Sequence, residues 1–242
     1  GLALLEKIKK QESTTNIPVI MLSASDDEDQ IVSALELGAD DYVTKPYIAK
    51  VLLARMGTSF RLMEKNQALE TLAKTDFLTT VNNRGCFEEE VGKLISQAQR
   101  SNQELVIIML DIDFFKQVND QYGHESGDKV LVNFAQQLKK CFRDYDLIGR
   151  IGGEEFVLLM IGSDQETVKQ RAERIRQCIE DEGIKHQHNP EGELLTVSVG
   201  YSCYKTKGKD FNFDHLYQLS DKALYQAKSH GRNCVRRYEF EH

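Results

Sequence analysis

Two apolar runs of six residues each, 105–110 and 156–161, constrain the fold of this chain more than any other feature. Runs of this length, bounded by polar residues and glycines, predict buried β-strands. A third strand pattern, Leu-Ile-Gly-Arg-Ile at 147–151, is separated from the second run by the tetrapeptide Gly-Gly-Glu-Glu. A glycine pair between two strands predicts an antiparallel hairpin. All three runs are much shorter than the roughly 18 residues of a membrane-spanning helix, so the sequence predicts no membrane span.

Around these strands the sequence predicts an α+β domain over residues 76–239. Helical patterns cover 130–142, 166–181 and 213–229, and a further strand pattern covers 194–201. We expect the hairpin and the other strands to form a central sheet against which the helices pack. The chain has 242 residues in total, which leaves room for a second, smaller unit.

The N-terminal part of the chain alternates helix and strand patterns. Strand patterns at 18–22 and 41–43 flank a helix at 27–37, an order that predicts parallel strands within an α/β unit over residues 1–47. Residues 48–75 are expected to form a linker helix, because 48–73 contain no proline and one glycine. The apolar spacing in this helix is imperfect, which leaves open a dimeric coiled-coil stalk and a helix that packs on its own domain.

The overall composition is acidic, with 31 Lys and Arg against 38 Asp and Glu and a net charge of −7. This balance argues against a protein that neutralises nucleic-acid phosphates over a wide basic face, so DNA and RNA are not expected partners. A small anionic ligand held by a few local cations remains open. The five cysteines lie far apart and form no C-x-x-C pair. They indicate reduced thiols in a cytoplasmic protein rather than a disulfide framework or a zinc site.

Acidic residues stand beside both buried strands. Asp111 and Asp113 follow the first, and Glu154 and Glu155 precede the second. A lone acid at a strand end is typically solvated, but carboxylates brought together raise one another's pKa values unless a cation lies between them. Oxygen ligands favour hard ions, so Mg²⁺ or Mn²⁺ is the expected cofactor. The two hairpin glycines either let a ligand approach closely or supply a positive φ for the turn.

The segment 111–128 contains the densest group of polar residues. Lys116 offers a mobile charge for a phosphate, and Asn119 and Asp128 offer the amide and carboxylate that could hydrogen-bond a guanine edge. Each of these two residues is also common in turns and helix caps. Lys228 and Arg232, four residues apart, fit either a phosphate clamp or favourable charge at a helix C-terminus.

Five segments resemble, in order, the signatures of the GGDEF family, the diguanylate cyclases: DFLTTVNNRGCF, LDIDFFKQVNDQYGHESGD, RDYDLIGRIGGEEFVLL, TVSVGY and DKALYQAKSHGRN. The resemblance covers residues 76–236 and implies a nucleotidyl-cyclase, palm-like fold. It implies that two GTP molecules are condensed into cyclic di-GMP in a homodimer, because each domain holds one GTP. It also implies feedback inhibition by the product.

The resemblance further implies roles for individual residues. The expected catalytic residues are Glu154, Glu155 and Lys116, and the expected metal ligands are Asp111, Glu154 and the backbone carbonyl of Ile112. The expected substrate contacts are Leu78, Phe114, Phe115, Lys116, Asn119, Asp128, Gly153, Lys228 and Arg232. The expected inhibitory product site is Arg143, Asp146 and Arg174. Asp113 fits no ligand role and is expected to be structural or to support the ligands.

The letters PVIMLSA and ALELGADDYVTKP resemble the second half of a response-regulator receiver domain. The resemblance implies that Ser23 and Lys45 correspond to residues that respond to phosphorylation. It also implies that the phosphoacceptor aspartate belongs to the first half of that fold, so residues 1–47 are expected to be a partial receiver domain without it.

The chain departs from the family pattern at two places. The usual Leu-Thr-Gly-Leu reads Leu-Thr-Thr-Val at 78–81, and Gly85 replaces the second arginine of Asn-Arg-Arg. Both departures affect local packing and the fit of the base more than the metal chemistry. The alternative function is a GGDEF-like module that binds nucleotide or cyclic di-GMP without turnover.

Overall fold

The computed structural model describes residues 1–11, 13–143, 145–162, 164–187, 189–190, 192–205 and 213–238. The chain divides into two units, Gly1–Ala73 and Lys74–His242. Residue 239, where the second domain is expected to end, lies outside the described residues. Within the described ranges, no helix combines the length and the apolar character needed to cross a bilayer.

The first unit alternates helices with two parallel strands, as the sequence predicts. Its elements are α1 (Leu2–Lys10), β1 (Ile20–Ser23), α2 (Glu28–Glu36), β2 (Asp41–Thr44) and α3 (Ala49–Lys74). Asp27 caps α2 by accepting a hydrogen bond from the Asp29 amide. Leu5, Ala34 and Ala39 form the small buried core of this unit.

The long helix α3 is present where the sequence predicts it. In its first half, Leu52, Met56 and Phe60 line an apolar groove together with Ile20 and Leu22 from β1. This half therefore lies beside the strands of its own unit. A dimeric stalk formed by α3 stays a prediction.

The second unit is built on a six-stranded sheet in the order β3-β5-β6-β4-β7-β8. The strands are β3 (Asn82–Asn83), β4 (Glu104–Ile112), β5 (Leu147–Arg150), β6 (Glu155–Ile161), β7 (Val197–Lys205) and β8 (Val235–Arg237). The helices are α4 (Arg84–Ser101), α5 (Phe115–Tyr122), α6 (His124–Cys141), α7 (Gln165–Asp181) and α8 (Phe213–Ser229). The central strand β4 is antiparallel to both β6 and β7, and β5 and β6 form the predicted hairpin.

Strand β4 is continuously apolar because helices cover both faces of the sheet. Ile108 and Leu110 contribute to one core with α6 and α7, whereas Ile107 and Met109 contribute to a second core with α4 and α8. Successive side chains point to opposite faces, so a strand buried on both faces needs apolar residues at every position. The α+β architecture is confirmed.

Several boundaries differ from the sequence prediction. Helix α6 begins at His124 rather than at 130, because the polar stretch Ser126-Gly127-Asp128, which suggests a turn, is helical and packs against α5. Strand β7 begins at Val197 and continues to Lys205 instead of covering 194–201. The sequence patterns predict neither helix α4 nor helix α5. They also predict neither of the edge strands β3 and β8, because such short strands have little periodic signal.

Candidate active site

The carboxylates singled out in the sequence meet at one edge of the sheet. Asp111, at the end of β4, is paired in register with Glu155 at the start of β6, and Glu154 directly precedes it. Asp111 is buried, and its Oδ2 accepts a hydrogen bond from Lys228 Nζ at 2.8 Å. Burial raises the pKa of Asp111 to about 6; Glu154 and Glu155 raise it as well, and Lys228 opposes them. Positive charge is therefore favourable at this edge.

The donor set at this edge fits a hard divalent cation. The expected ligands are two carboxylates, from Asp111 and Glu154, and the carbonyl of Ile112, all oxygen donors of the kind that Mg²⁺ and Mn²⁺ prefer. A cation there would offset the repulsion from Glu154 and Glu155, which adds to the effect of burial on the pKa of Asp111. Among the residues that the structure describes, no group of three or more His, Cys, Asp and Glu side chains is arranged around a metal position. The metal assignment stays a prediction.

The hairpin glycines differ in what surrounds them. Neither Gly152 nor Gly153 has a positive φ, so the turn does not require glycine for its backbone conformation. A Cβ at Gly153 would meet nothing within 4 Å, whereas a Cβ at Gly152 would lie 2.5 Å from Glu155 Oε2. Gly152 thus leaves room for the Glu155 carboxylate, and Gly153 faces open space beside the acids.

Arg150 holds the hairpin turn to the loop that contains Leu78. Its Nη2 and Nε donate to the Gly153 carbonyl at 2.8 and 3.1 Å, and its Nη1 donates to Asp76 Oδ1 at 2.9 Å. Asp76 Oδ1 also accepts hydrogen bonds from the amide and hydroxyl of Thr79 at 2.8 and 2.5 Å. The turn with Glu154 is therefore connected to the loop with Leu78 through one ion pair.

The predicted guanine-binding residues lie where α5 meets α6. A Cβ placed on Gly127 would lie only 3.0 Å from Asn119 Cγ and 3.2 Å from Phe115 Cζ. The Asn119 amide therefore lies directly against the backbone of α6, one residue before the exposed Asp128. Phe115 is buried in the core, so its side chain does not face a ligand, and a substrate contact there would have to come from its backbone.

The predicted phosphate-binding residues come from two elements. Lys116 is exposed in the first turn of α5, and Arg232 follows α8. The Arg232 guanidinium stacks 4.3 Å from the centre of the Phe114 ring. Both Phe114 and Arg232 have positive φ values, 56° and 53°. Left-handed backbone at two contacting non-glycine residues is costly and is concentrated at functional sites.

Asp113 has the supporting position that the sequence predicts for it. Its buried carboxylate accepts hydrogen bonds from Thr196 Oγ1 at 2.8 Å, from Ser198 Oγ at 2.7 Å and from the Asn233 amide at 3.1 Å. Burial raises the pKa of Asp113, and these hydrogen bonds offset part of that effect. Asp113 thus connects the end of β4 to β7 and to the turn that carries Arg232.

The predicted product site centres on a buried carboxylate. Asp146 Oδ2 accepts hydrogen bonds from the Arg143 amide at 2.9 Å and from Arg171 Nη1 at 3.0 Å. The Arg143 side chain is exposed, and its guanidinium donates to the Tyr145 hydroxyl and lies over that ring. Arg174 is exposed one turn beyond Arg171 on α7. Arg143 is therefore available to a ligand, while Asp146 orders the segment that carries it.

Sequence reasoning missed three residues of this site: Asp76, Arg150 and Arg171. All three lie close to the predicted motifs, but their contacts are distant in sequence. Arg150 reaches Asp76 across 74 positions, and Arg171 reaches Asp146 across 25 positions. Gly127 was also missed as a contact of Asn119. A glycine inside a helix is the available signal, because such a glycine costs helix stability and commonly has a packing reason.

Comparison with known families and curated proteins gives consistent matches. Residues 73–234 match the family described as diguanylate cyclase, GGDEF domain, and residues 1–57 match the response regulator receiver domain. Response regulator PleD of Caulobacter vibrioides is 34% identical over 242 residues, which cover 97% of this chain and 53% of PleD. A diguanylate cyclase of Vibrio cholerae is 35% identical over 182 residues, covering 74% of this chain and 55% of that protein. The chain spans about half the length of these curated relatives.

Solved structures show the same fold. The coiled coil and GGDEF domain of DgcB from Caulobacter crescentus, in complex with c-di-GMP, is 28% identical with a TM-score of 0.67, covering 77% of this chain and 98% of that chain. The active GGEEF domain of a diguanylate cyclase from Vibrio cholerae is 34% identical with a TM-score of 0.57, covering 66% of this chain and 99% of that chain.

Proposed function

The chain belongs to the GGDEF family of diguanylate cyclase domains, and on that premise we propose that it condenses two GTP molecules into cyclic di-GMP and two pyrophosphates. The observation that carries the proposal is the register between β4 and β6. It places Asp111 opposite Glu155, with Glu154 adjacent and Lys228 Nζ 2.8 Å from Asp111. Carboxylates and an ammonium at one edge are the groups that metal-assisted chemistry on a triphosphate needs.

The guanine base is proposed to bind at the corner between α5 and α6. Asn119 and Asp128 provide an amide and a carboxylate there, and the contact of Asn119 with Gly127 limits where the amide can lie. Leu78 is partly buried at the edge of the core and is proposed to pack on the base. A site that hydrogen-bonds a polar edge rejects a base that leaves its groups unpaired.

The triphosphate is proposed to lie between Lys116, Lys228 and Arg232. Lys228 pairs with Asp111 in this structure. When substrate binds, a phosphate would become the partner of the Lys228 ammonium, and a divalent cation would become the partner of the Asp111 carboxylate. Arg232 is held over Phe114, which orients its guanidinium before a phosphate arrives. Gly153 leaves open space at the turn, where a bulkier residue would approach the phosphates.

Asp111, Glu154 and the carbonyl of Ile112 are proposed to hold Mg²⁺ or Mn²⁺. A divalent cation held by these residues would neutralise charge at the α-phosphate and lower the pKa of the attacking hydroxyl. In each of two steps, a ribose 3′-oxygen forms a bond to the α-phosphorus of the other nucleotide, the bond from that phosphorus to the oxygen of the leaving pyrophosphate breaks, and the hydroxyl proton passes to water. The protein's contribution is to hold the two reacting groups in line.

Each domain is proposed to hold one GTP, so two domains must face each other for the reaction. The homodimer is required by this chemistry, because one site contains half of the product. Cyclic di-GMP is proposed to inhibit the enzyme at Arg143, Asp146 and Arg174, with Arg171 holding the Asp146 carboxylate. An arginine fork binds phosphate and stacks on purines, which fits the exposed Arg143.

The experiment that tests the proposal is an assay of GTP conversion by the whole chain with Mg²⁺, in which pyrophosphate and cyclic di-GMP are both quantified. We expect two pyrophosphates for each cyclic di-GMP and no product after chelation of the metal. Binding of GTP or cyclic di-GMP without any conversion would overturn the proposal and support the non-catalytic binding module. A protein concentration series adds a check, since a reaction between two domains depends on dimer formation.

A further inference from the structure

Two cysteine thiols lie in contact at the far ends of α6 and α7. Cys141 is the last residue of α6, Cys178 lies in the last turns of α7, and their Sγ atoms are 3.9 Å apart. Both residues are partly exposed free cysteines. They are 37 positions apart in the sequence, so only the packing of α6 on α7 brings them together.

The other three cysteines, all in the described part of the chain, have different surroundings. The Cys86 thiol donates to Asn82 Oδ1 at 3.3 Å, and the Cys234 thiol donates to the Ala227 carbonyl at 3.6 Å. Cys203 is buried on β7, and burial raises the pKa of its thiol to about 11. Each of these side chains therefore has a packing role of its own.

We propose that Cys141 and Cys178 form an oxidisable dithiol site, at which hydrogen peroxide produces a disulfide that ties the end of α6 to the end of α7. A disulfide bond is about 2.0 Å long, so the two sulfur atoms must approach by about 2 Å from their present separation of 3.9 Å. The partial exposure of both residues gives a small oxidant access.

The oxidation proceeds in two balanced steps. The thiolate of one of the two cysteines attacks one peroxide oxygen, the O–O bond breaks, and a cysteine sulfenic acid and one water form after protonation. The sulfur of the other cysteine then attacks the sulfenic acid sulfur, displaces hydroxide and loses its proton, which gives the disulfide and a second water. The scheme is the same whichever thiol reacts first, because the two sulfur atoms lie in contact.

The two cysteines lie next to the segment that carries Arg143 and Asp146, so a disulfide between them would affect that segment. The segment that carries Arg143 and Asp146 follows Cys141 directly, and Asp146 is held by Arg171, which lies two turns before Cys178 on α7. A covalent link at this place restrains both elements that position the Arg143–Asp146 segment. We therefore expect slower opening of that segment in the oxidised protein.

The test is to treat the whole chain with hydrogen peroxide, block free thiols, digest it without reductant and search for linked peptides by mass spectrometry. The expected result is one dominant linked pair, Cys141–Cys178, that disappears after dithiothreitol. The link should be absent from Cys141→Ser and Cys178→Ser and present in the matched control Cys234→Ser. Peroxide treatment that leaves both thiols free, or oxidises them without linking them, would overturn the proposal.

A second readout measures the restraint itself. Hydrogen exchange at the amides of Arg143 and Asp146 should slow at least threefold in oxidised wild type and stay unchanged in peroxide-treated Cys178→Ser. Equal exchange rates in linked and reduced protein would overturn the proposed effect on the segment. Neither measurement uses GTP or cyclic di-GMP, so their outcome is independent of the proposed cyclase function.

Discussion

Asp76 Oδ1 and Arg150 Nη1 form an ion pair 2.9 Å long between the first loop of the second unit and the hairpin that carries Glu154. Both side chains are mostly buried, and Arg150 also donates to the Gly153 carbonyl. One guanidinium therefore controls the position of the turn next to the carboxylates. The pair combines a stabilising role with a role in placing the site.

Replacing Arg150 by methionine is expected to destabilise the second unit by about 2 kcal/mol, because Asp76 and the Gly153 carbonyl lose charge-assisted hydrogen bonds. The same change should lower cyclase activity, since the turn loses its restraint. Urea unfolding and the initial rate measure the two effects. The matched control is Arg84→Met, which removes an exposed i,i+4 ion pair with Glu88 and should leave the unfolding free energy and the initial rate almost unchanged. Equal changes of these two quantities in both variants would contradict the role of Arg150.

The Asp76 ion pair should also make stability depend on pH. Burial alone would raise the pKa of Asp76, but hydrogen bonds from Thr79 and Arg150 outweigh it and leave that pKa below its usual value. Because the pKa of Asp76 is lower in the folded state, its carboxylate stabilises the fold at pH values above the usual Asp pKa of about 4. This stabilisation is lost as the pH falls through the lowered folded-state pKa. The difference in unfolding free energy between wild type and Asp76→Asn should therefore be largest near neutral pH and shrink in acid. A difference that is constant from pH 7 to pH 3 would rule this out.

The Gly127→Ala substitution is expected to weaken GTP binding without unfolding the domain. The added Cβ would overlap Asn119 Oδ1 and lie 3.0 Å from Asn119 Cγ, so the amide must move away from its present position. We expect KM for GTP to rise about tenfold or more and the preference for GTP over ATP to fall. The control is Gly92→Ala on α4, where a Cβ meets nothing within 4 Å and alanine favours the helix. An unchanged ratio of GTP to ATP turnover in Gly127→Ala would remove Asn119 from base recognition.

The Glu154→Gln substitution is expected to lower the rate of synthesis by at least a hundredfold at saturating Mg²⁺, because a neutral amide is a poor replacement for a metal-bound carboxylate. The unfolding midpoint should change little, since Glu154 lies at a turn outside both cores. Initial rates and thermal unfolding are compared with the exposed control Glu89→Gln. Retention of more than about a tenth of the wild-type rate would contradict the assignment of Glu154 as a metal ligand.

The elements with strong local patterns could be predicted from the sequence. Strand β4 is apolar at successive positions because both of its faces are buried, and the Gly152–Gly153 pair marks the hairpin that follows β5. Since Asp111 and Glu155 end up opposite each other once these strands pair, the acidic edge of the site could be predicted as well. Here local sequence and tertiary structure point to the same arrangement.

The remaining features depend on contacts that no local pattern contains. Arg150 reaches Asp76 across 74 positions, and Arg171 reaches Asp146 across 25 positions. The first turns of α6 contain residues of low helix propensity and form because they pack against α5. Tertiary contact therefore decided both the start of this helix and the positions of the supporting arginines.

The Arg143→Ala substitution is expected to weaken inhibition by cyclic di-GMP about tenfold or more while the initial rate stays close to wild type. The exposed guanidinium is available to a phosphate, and alanine cannot replace its charge-assisted hydrogen bonds. Arg171→Ala should weaken inhibition too, but for a different reason: it leaves the buried Asp146 carboxylate without its cation, so the unfolding midpoint should also fall. Inhibition curves and thermal unfolding separate the two variants, and Arg100→Ala on α4 serves as the exposed control. If Arg143→Ala gives the wild-type inhibition curve, Arg143 has no part in product binding, and its contact with Tyr145 is purely structural.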